Sequence, residues 1–292
     1  MLIEDWKNQG KYFTYKNKYK IFYQESGHGD PLLLLHGFPT ASWDWNKLWG
    51  SLQKKYHLLA PDFIGFGYSD KPKNYEYSIH DQADVIEHFL ENINVQSAHI
   101  LAHDYGDTVL QELLARNIDR NEAGENGFKI KSIALLNGGL FPETHQARPI
   151  QKLLISPIGS LLVHFLNKKS LRRSFNNIFG KNTQPTDQEI DEFYSLVDYK
   201  NGKLIFHKLI RYMNDRRKYR ERWVAALQNS PAPIRVIDGA IDPVSGKHMT
   251  DRFRSLITDP DIILLDEIGH YPQTEAPAEV LKYYYEFREK HS

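Results

Sequence analysis

The sequence predicts an α/β fold, a mostly parallel sheet covered by helices on both faces, with one helical block inserted after the sixth strand. Three observations carry this reading. Short apolar runs alternate with helical stripes up to Leu136. From Phe141 to about Gln228 there are helical stretches and no strand signal. Strand signals then return at Ile234–Asp238 and Asp261–Leu265. Strands that alternate with helices build parallel sheets, because each parallel pairing needs a crossover.

The elements follow in order. Tyr12–Tyr15 and Tyr19–Glu25 read as an opening hairpin. Leu32–Leu35 is a continuous apolar run, as expected of a strand covered on both faces. A helix is expected over Trp43–Leu52 and a strand over Tyr56–Ala60. Val85, Ile86, Phe89 and Leu90 give Ile79–Asn92 helical spacing. Ala98–Ala102 reads as a short strand, and Val109, Leu110, Leu113 and Leu114 mark the next helix. Asn117–Gly127 is polar and glycine-bearing and reads as a flexible surface loop. Ile130–Leu136 is a strand, and helices are expected at Lys247–Leu256 and Ala278–Glu289. The expected division is a core of residues 1–140 and 229–292, with a helical cap over 141–228. Such an insertion sits over the carboxyl ends of the strands, where open α/β sheets bind ligands.

Composition narrows the function. The 292 residues are 41% hydrophobic, enough for a deep core around a pocket. Lys+Arg and Asp+Glu balance at 37 each, which disfavours a nucleic-acid partner. Without cysteine the chain has no disulfide, iron–sulfur cluster or thiol nucleophile. No stretch approaches the ~18–20 apolar residues of a spanning helix. Met1–Gly10 carries Glu4, Asp5 and Trp6 and no apolar signal region, so the expected location is the cytoplasm. A small-molecule substrate is the expected partner, and the oligomeric state is open.

The sharpest motif is Ala102-His103-Asp104-Tyr105-Gly106, between a strand and a helix. It has the small-x-nucleophile-x-small pattern of a tight strand-to-helix turn, with Asp where esterases carry Ser. The alternative is an Asp that only caps the helix. His36-Gly37-Phe38-Pro39 follows the Leu32–Leu35 strand, and the Phe38 and Tyr105 amides could form an oxyanion hole. Asp242 in Gly239-Ala-Ile-Asp-Pro243 and His270 in Gly269-His-Tyr-Pro272 each follow a later strand. Nucleophile, acid and histidine thus come in one functional order. Glu143, after the preceding strand, is the alternative acid.

These residues identify a resemblance to α/β-hydrolases of the aspartate-nucleophile branch, which includes epoxide hydrolases and haloalkane dehalogenases. His36–Trp45, Asp62–Pro72, Ala102–Leu114, Asn137–His145 and Arg222–Leu227 most resemble the mesoderm-specific transcript proteins, and the similarity spans nearly the whole chain. The resemblance implies a covalent alkyl-enzyme ester on Asp104, hydrolysed by water that His270, oriented by Asp242, activates. It implies no metal and no organic cofactor. Dehalogenases usually hold halide with a Trp after the nucleophile and a second Asn or Trp; those positions here are Tyr105 and Phe38. Epoxide hydrolases typically protonate the epoxide oxygen with two cap tyrosines. Tyr212 is a candidate for one, and Tyr194 or Tyr199 for the other. His36, Trp43, Tyr212 and Glu143 are the expected substrate contacts. An epoxide on a small apolar skeleton is the first expectation; halide displacement, or ligand binding without catalysis, is the alternative.

Other features read as structural. Gly65-Phe66-Gly67 starts a dinucleotide pattern, but Asp70 occupies the place of its last glycine. His99 and His103 lack the helical context of a zinc pair. The basic run Arg216–Arg222 is expected to be a solvated helix face, with contact to a membrane or an anionic substrate as the alternative. Asp107, three residues after Asp104, either caps first-turn amides or lines the pocket and selects polar or cationic substrates.

Overall fold

The computed structural model describes residues 1–291. Eight strands form one sheet in the order β1-β2-β4-β3-β5-β6-β7-β8. They are β1 (Lys11–Tyr15), β2 (Tyr19–Ser26), β3 (Asp30–Leu35), β4 (Tyr56–Pro61), β5 (Ser97–His103), β6 (Lys129–Leu136), β7 (Ile234–Gly239) and β8 (Asp261–Leu265). β1 and β2 pair antiparallel, β2 runs antiparallel to β4, and every later pairing is parallel. All four residues Leu32–Leu35 are inaccessible to solvent. Leu33 and Leu35 join the core on one face, and Leu32 and Leu34 that on the other. The period of two along a strand thus explains the unbroken apolar run.

Helices cover both faces. Before the insertion come α1 (Ile3–Gln9), α2 (Asn46–Leu52), α3 (Ile79–Asn92) and α4 (Tyr105–Ala123). Between β6 and β7 the described residues are helical or irregular: α5 (Pro149–Ile155), α6 (Gly159–Leu162), α7 (Lys168–Asn176), α8 (Asp187–Asp198), α9 (Phe206–Leu209), α10 (Tyr212–Lys218) and α11 (Arg220–Gln228). After β7 come α12 (Lys247–Leu256), α13 (Pro272–Glu275) and α14 (Pro277–Lys290). No helix among the described residues is long and apolar enough to cross a membrane.

Two local expectations are corrected. α4 runs to Ala123 and stops at Gly124, whose φ of +68° suits glycine. Most of the expected Asn117–Gly127 loop is therefore helix. Asn117 is buried with its amide on the Phe128 carbonyl at 2.8 Å, and Arg120 reaches Glu87 at 2.6 Å. These tertiary contacts override the weak helix preference of the segment. The N-terminal residues, read above only for a leader, form α1. Its Trp6 packs edge-on against Trp43 and Trp49, with ring centroids 5.4 and 4.7 Å away.

Register positions the chemistry. Leu35 pairs with Ala102 and His103 with Leu136, so β3, β5 and β6 end side by side. Gly239 pairs with Leu265, which aligns the ends of β7 and β8. The loops that follow these strands converge at one edge.

Candidate active site

Asp104 occupies the turn from β5 into α4 with φ +46° and ψ −97°, a conformation L-residues rarely adopt. The turn survives because its neighbours hold it. The Gly106 amide donates to the His36 carbonyl at 3.0 Å, and a Cβ on Gly106 would lie 2.3 Å from the Leu35 carbonyl oxygen. Glycine is needed there for close approach. The buried Asp104 carboxylate accepts the Phe38 amide on Oδ2 at 3.1 Å. Tyr105 turns its ring into the core among Phe63, Phe66 and Tyr212.

Asp242 is clamped from several sides. Asp242 Oδ2 accepts His270 Nδ1 at 2.7 Å, the Ser245 amide and hydroxyl at 3.0 and 2.9 Å, and Nδ2 of the Asn137 side chain at 3.1 Å. Oδ1 accepts the Val244 amide at 2.8 Å. Burial pushes Asp242 upward, but His270 and these donors bring it below the ordinary carboxylate range. For His270 burial alone would lower the pKa. The Asp242 carboxylate overrides it and lifts the imidazole to about 9. Asn137 went unnoticed in the sequence. It directly follows β6, its Oδ1 accepts the Gly239 amide at 2.7 Å, and it fastens the two strand ends together.

Two histidines near the site have structural jobs. His36 is fully buried; Nε2 accepts the Phe63 amide at 3.1 Å and Nδ1 donates to the Gly37 carbonyl at 2.9 Å. It ties down the loop after β3 and does not line the cavity. Burial holds it near pKa 4, hence neutral. His103 Nε2 donates to the His270 carbonyl at 2.7 Å, joining the Asp104 turn to the loop that carries His270. Burial pushes it down to about 3. The described residues contain no cluster suited to a metal ion.

A cavity of about 430 Å3 opens between the strand ends and the helical block. Asp104, His270 and Phe38 face it from below, and Leu154, Phe175 and Tyr194 are among the insertion residues lining it. The other expected contacts lie elsewhere. Trp43 is buried, with its indole N–H on Glu192 at 3.2 Å. Glu143 is exposed between Arg220 and Arg252, at 2.9 and 3.1 Å; Arg220 pulls it down to about 2. Tyr199 packs on Tyr68, centroids 5.1 Å apart. Tyr212 is buried beside the Asp104 turn, its ring 4.8 Å from that of Tyr105.

The basic run holds the main surprise. Arg216, expected on a solvated face, is 2% exposed. Its Nη2 donates to the Asp104 carbonyl at 3.1 Å and lies 3.5 Å from Oδ1 of the same residue. Nε donates to Thr108 at 2.7 Å, and the guanidinium sits over the Tyr212 ring at 4.5 Å. One residue-level signal existed: Arg216 follows Tyr212 and Met213 by four and three positions, so it shares their buried face. Asp107 is fully buried and faces away from the cavity, as the capping reading expects, but neither of its carboxyl oxygens makes a cap bond.

Residues 30–277 match the alpha/beta hydrolase fold family. The mesoderm-specific transcript protein of Mus musculus is 40% identical over 299 residues, covering 98% of this chain and 87% of its own. The cis-3-alkyl-4-alkyloxetan-2-one decarboxylase of Shewanella oneidensis is 27% identical over 93% of this chain and 86% of its own. Among solved structures, the haloalkane dehalogenase DbeA-M1 loop variant from Bradyrhizobium elkanii superposes with a TM-score of 0.78 at 20% identity, covering 94% of each chain.

Proposed function

The chain belongs to the α/β-hydrolase fold family, and we propose that it hydrolyses a small apolar epoxide through a covalent ester on Asp104. One observation carries this reading. The Asp104 carboxylate faces the cavity with Oδ2 on the Phe38 amide, alongside a histidine whose Nδ1 is bound to Asp242.

The steps follow from these positions. Oδ1, the oxygen free of the Phe38 amide, attacks a ring carbon. The ring C–O bond breaks, and its oxygen takes a proton. Neither Tyr212 nor Arg216 lines the cavity, and a guanidinium does not give up its proton, so this proton comes from the His270 imidazolium beside Asp104. Burial raises the Tyr212 phenol, and Asp104 adds to that effect, so it stays a neutral O–H. Ester formation removes the Asp104 charge, one support of the proton on His270. Having passed its proton to the ring oxygen, His270 is left neutral and able to act as a base. Neutral His270 takes a proton from water, and the hydroxide attacks the Asp104 carbonyl carbon. The oxyanion forms at the Phe38 amide, with the Tyr105 amide as the second donor. Collapse breaks the ester C–O bond, and the leaving alkoxide takes the proton back from His270, which frees the diol. A plain ester is a poor substrate, because carboxylate attack on its carbonyl gives a mixed anhydride.

Halide displacement uses the same first atoms but needs donors for the leaving ion. Phe38 has none, and Tyr105 points into the core, which favours the epoxide. The Shewanella relative is named for an oxetan-2-one, another strained oxygen ring, so a β-lactone belongs in the test.

One turnover of a terminal alkyl epoxide in heavy-oxygen water should place the heavy atom in Asp104, with unlabelled oxygen in the diol. His270→Gln should instead accumulate the alkyl ester on the Asp104 peptide. Halide released from a chloroalkane, without diol formation, selects the dehalogenase reading. An adduct on another residue, or none with epoxide, chloroalkane or β-lactone, overturns the aspartate mechanism and leaves a binding protein.

A further inference from the structure

The outer face of the helical block differs from the rest of the surface. Eight large apolar side chains are exposed among the described residues, and four of them fall between Leu153 and Phe165. Leu153 is 46% exposed, Ile158 50%, Leu161 65% and Phe165 76%. α6 continues directly into a 3-10 turn at Val163–Phe165. Ile158, Leu161 and Phe165, three and four residues apart, therefore share one outward stripe. The other side of this stretch carries Ile150, Leu154 and Leu166, which line the catalytic cavity. A soluble surface rarely gathers bulky apolar groups in one place without a partner for them.

Charge identifies the partner. Thr144 through Thr186 contains seven Lys and Arg and no Asp or Glu, although the whole chain balances at 37 and 37. Lys168 is taken by Asp191 and Arg172 by Asp187. Lys152, Lys169 and Arg173 are exposed and form no ion pair among the described residues, and Arg173 also lines the cavity. Apolar tips flanked by uncompensated cations meet their complement in an anionic leaflet, with phosphates at the level of the cations and hydrocarbon beneath. A second copy of this chain would bring like charges face to face and is disfavoured.

We propose that the Leu153–Phe165 face docks on an anionic lipid bilayer, with Leu161 and Phe165 among the lipids and Lys152, Lys169 and Arg173 on headgroup phosphates. Docking sets the wall of the cavity against the membrane, so a lipid-soluble substrate has a short path to Asp104. The surface stands apart from the reaction, whichever electrophile Asp104 attacks.

Vesicle flotation tests the docking without any turnover. The full chain should float with phosphatidylcholine vesicles that contain phosphatidylserine, and binding should weaken as salt rises. Pure phosphatidylcholine should bind it less. Replacing Leu161 and Phe165 together by Ser should reduce binding about tenfold or more. Lys152→Glu and Lys169→Glu should each reduce binding to the anionic vesicles by at least about fivefold. All the changed side chains are exposed, so circular dichroism and the unfolding midpoint should match the wild type. A wild type that ignores both vesicles overturns the proposal. So does undiminished flotation of the Leu161→Ser, Phe165→Ser protein, or a wild-type dimer that this double substitution dissociates.

Discussion

The loops at the strand ends and the helical block above them face the same cavity but are built differently. Around Asp242 each carboxylate oxygen has a partner, and His36 and His103 fix neighbouring loops through backbone atoms. The stretch from α5 to the end of α6 has few such ties and turns Leu161 and Phe165 outward. Several contacts join the regions, among them the Gly180 amide and Thr183 hydroxyl on Glu275, and Arg216 reaches from α10 to the Asp104 turn itself. The contrast separates two tasks. The strand-end loops hold Asp104, Asp242 and His270 through buried hydrogen bonds, whereas the block lines the cavity and sets one guanidinium 3.5 Å from the Asp104 carboxylate.

The largest effect should follow from breaking the strand-end network. Asp242→Asn keeps the size of the side chain but removes the charge behind His270. A loss of about 10^4 in kcat is expected, as when the acid of a serine triad becomes an amide. Glu143→Gln should stay within about twofold, as for most surface changes. Steady-state rates of the two variants decide the matter. A silent Asp242→Asn with a crippled Glu143→Gln would move the acid to the other loop.

A smaller effect should come from cutting the bridge between the regions. Arg216→Leu removes a charged donor from the Asp104 turn and leaves Thr108 Oγ1 without its partner. Hydrogen bonds to charged groups contribute roughly 1.5–3 kcal/mol, so kcat/KM should fall about 10- to 100-fold. Arg217→Leu, on the exposed neighbour, serves as the control. Equal behaviour of the two would return the whole run to the solvated face expected from sequence.

The same contrast explains what could be read in the sequence. Leu32–Leu35, the Ala102–Gly106 turn and the segments with Asp242 and His270 are contiguous in the chain, and each follows a strand. Local pattern therefore located them. Arg216 and Asn137 act through partners about a hundred residues away, at Asp104 and Asp242. A run of charges says nothing about which guanidinium a helix turns inward. α1 escaped notice because it buries a single residue, Trp6, whose partners lie in a later segment. Trp43 and His36 stand in a motif that belongs to the site, yet one packs against α1 and the other against a backbone amide. The motif locates the loop; contacts decide which of its side chains reach the substrate.

The smallest effect on activity is expected at Asp107, where stability is the informative measurement. Asp107 lies under the nucleophile turn against Gly138, and neither carboxyl oxygen has a hydrogen-bond partner among the described residues. Burial raises its pKa well above 3.8; Asp238 and Asp104 add to the rise, and Arg216 opposes it. The folded protein thus keeps a proton that the unfolded chain loses. Below the unfolded value both states hold the proton, and Asp107 has no pH-dependent effect. As pH rises above 3.8, stability is lost until the folded group also ionises, at a rate approaching about 1.4 kcal/mol per pH unit. Asp107→Asn has nearly the same shape and nothing to titrate, so its unfolding midpoint should rise relative to the wild type between weakly acidic and neutral pH. The two should converge in acid, and kcat/KM should change by no more than about threefold. Midpoints that run parallel across the range would show Asp107 ionised in the folded state and paired with Arg216. The bridge between the two regions would then hold two carboxylates instead of one.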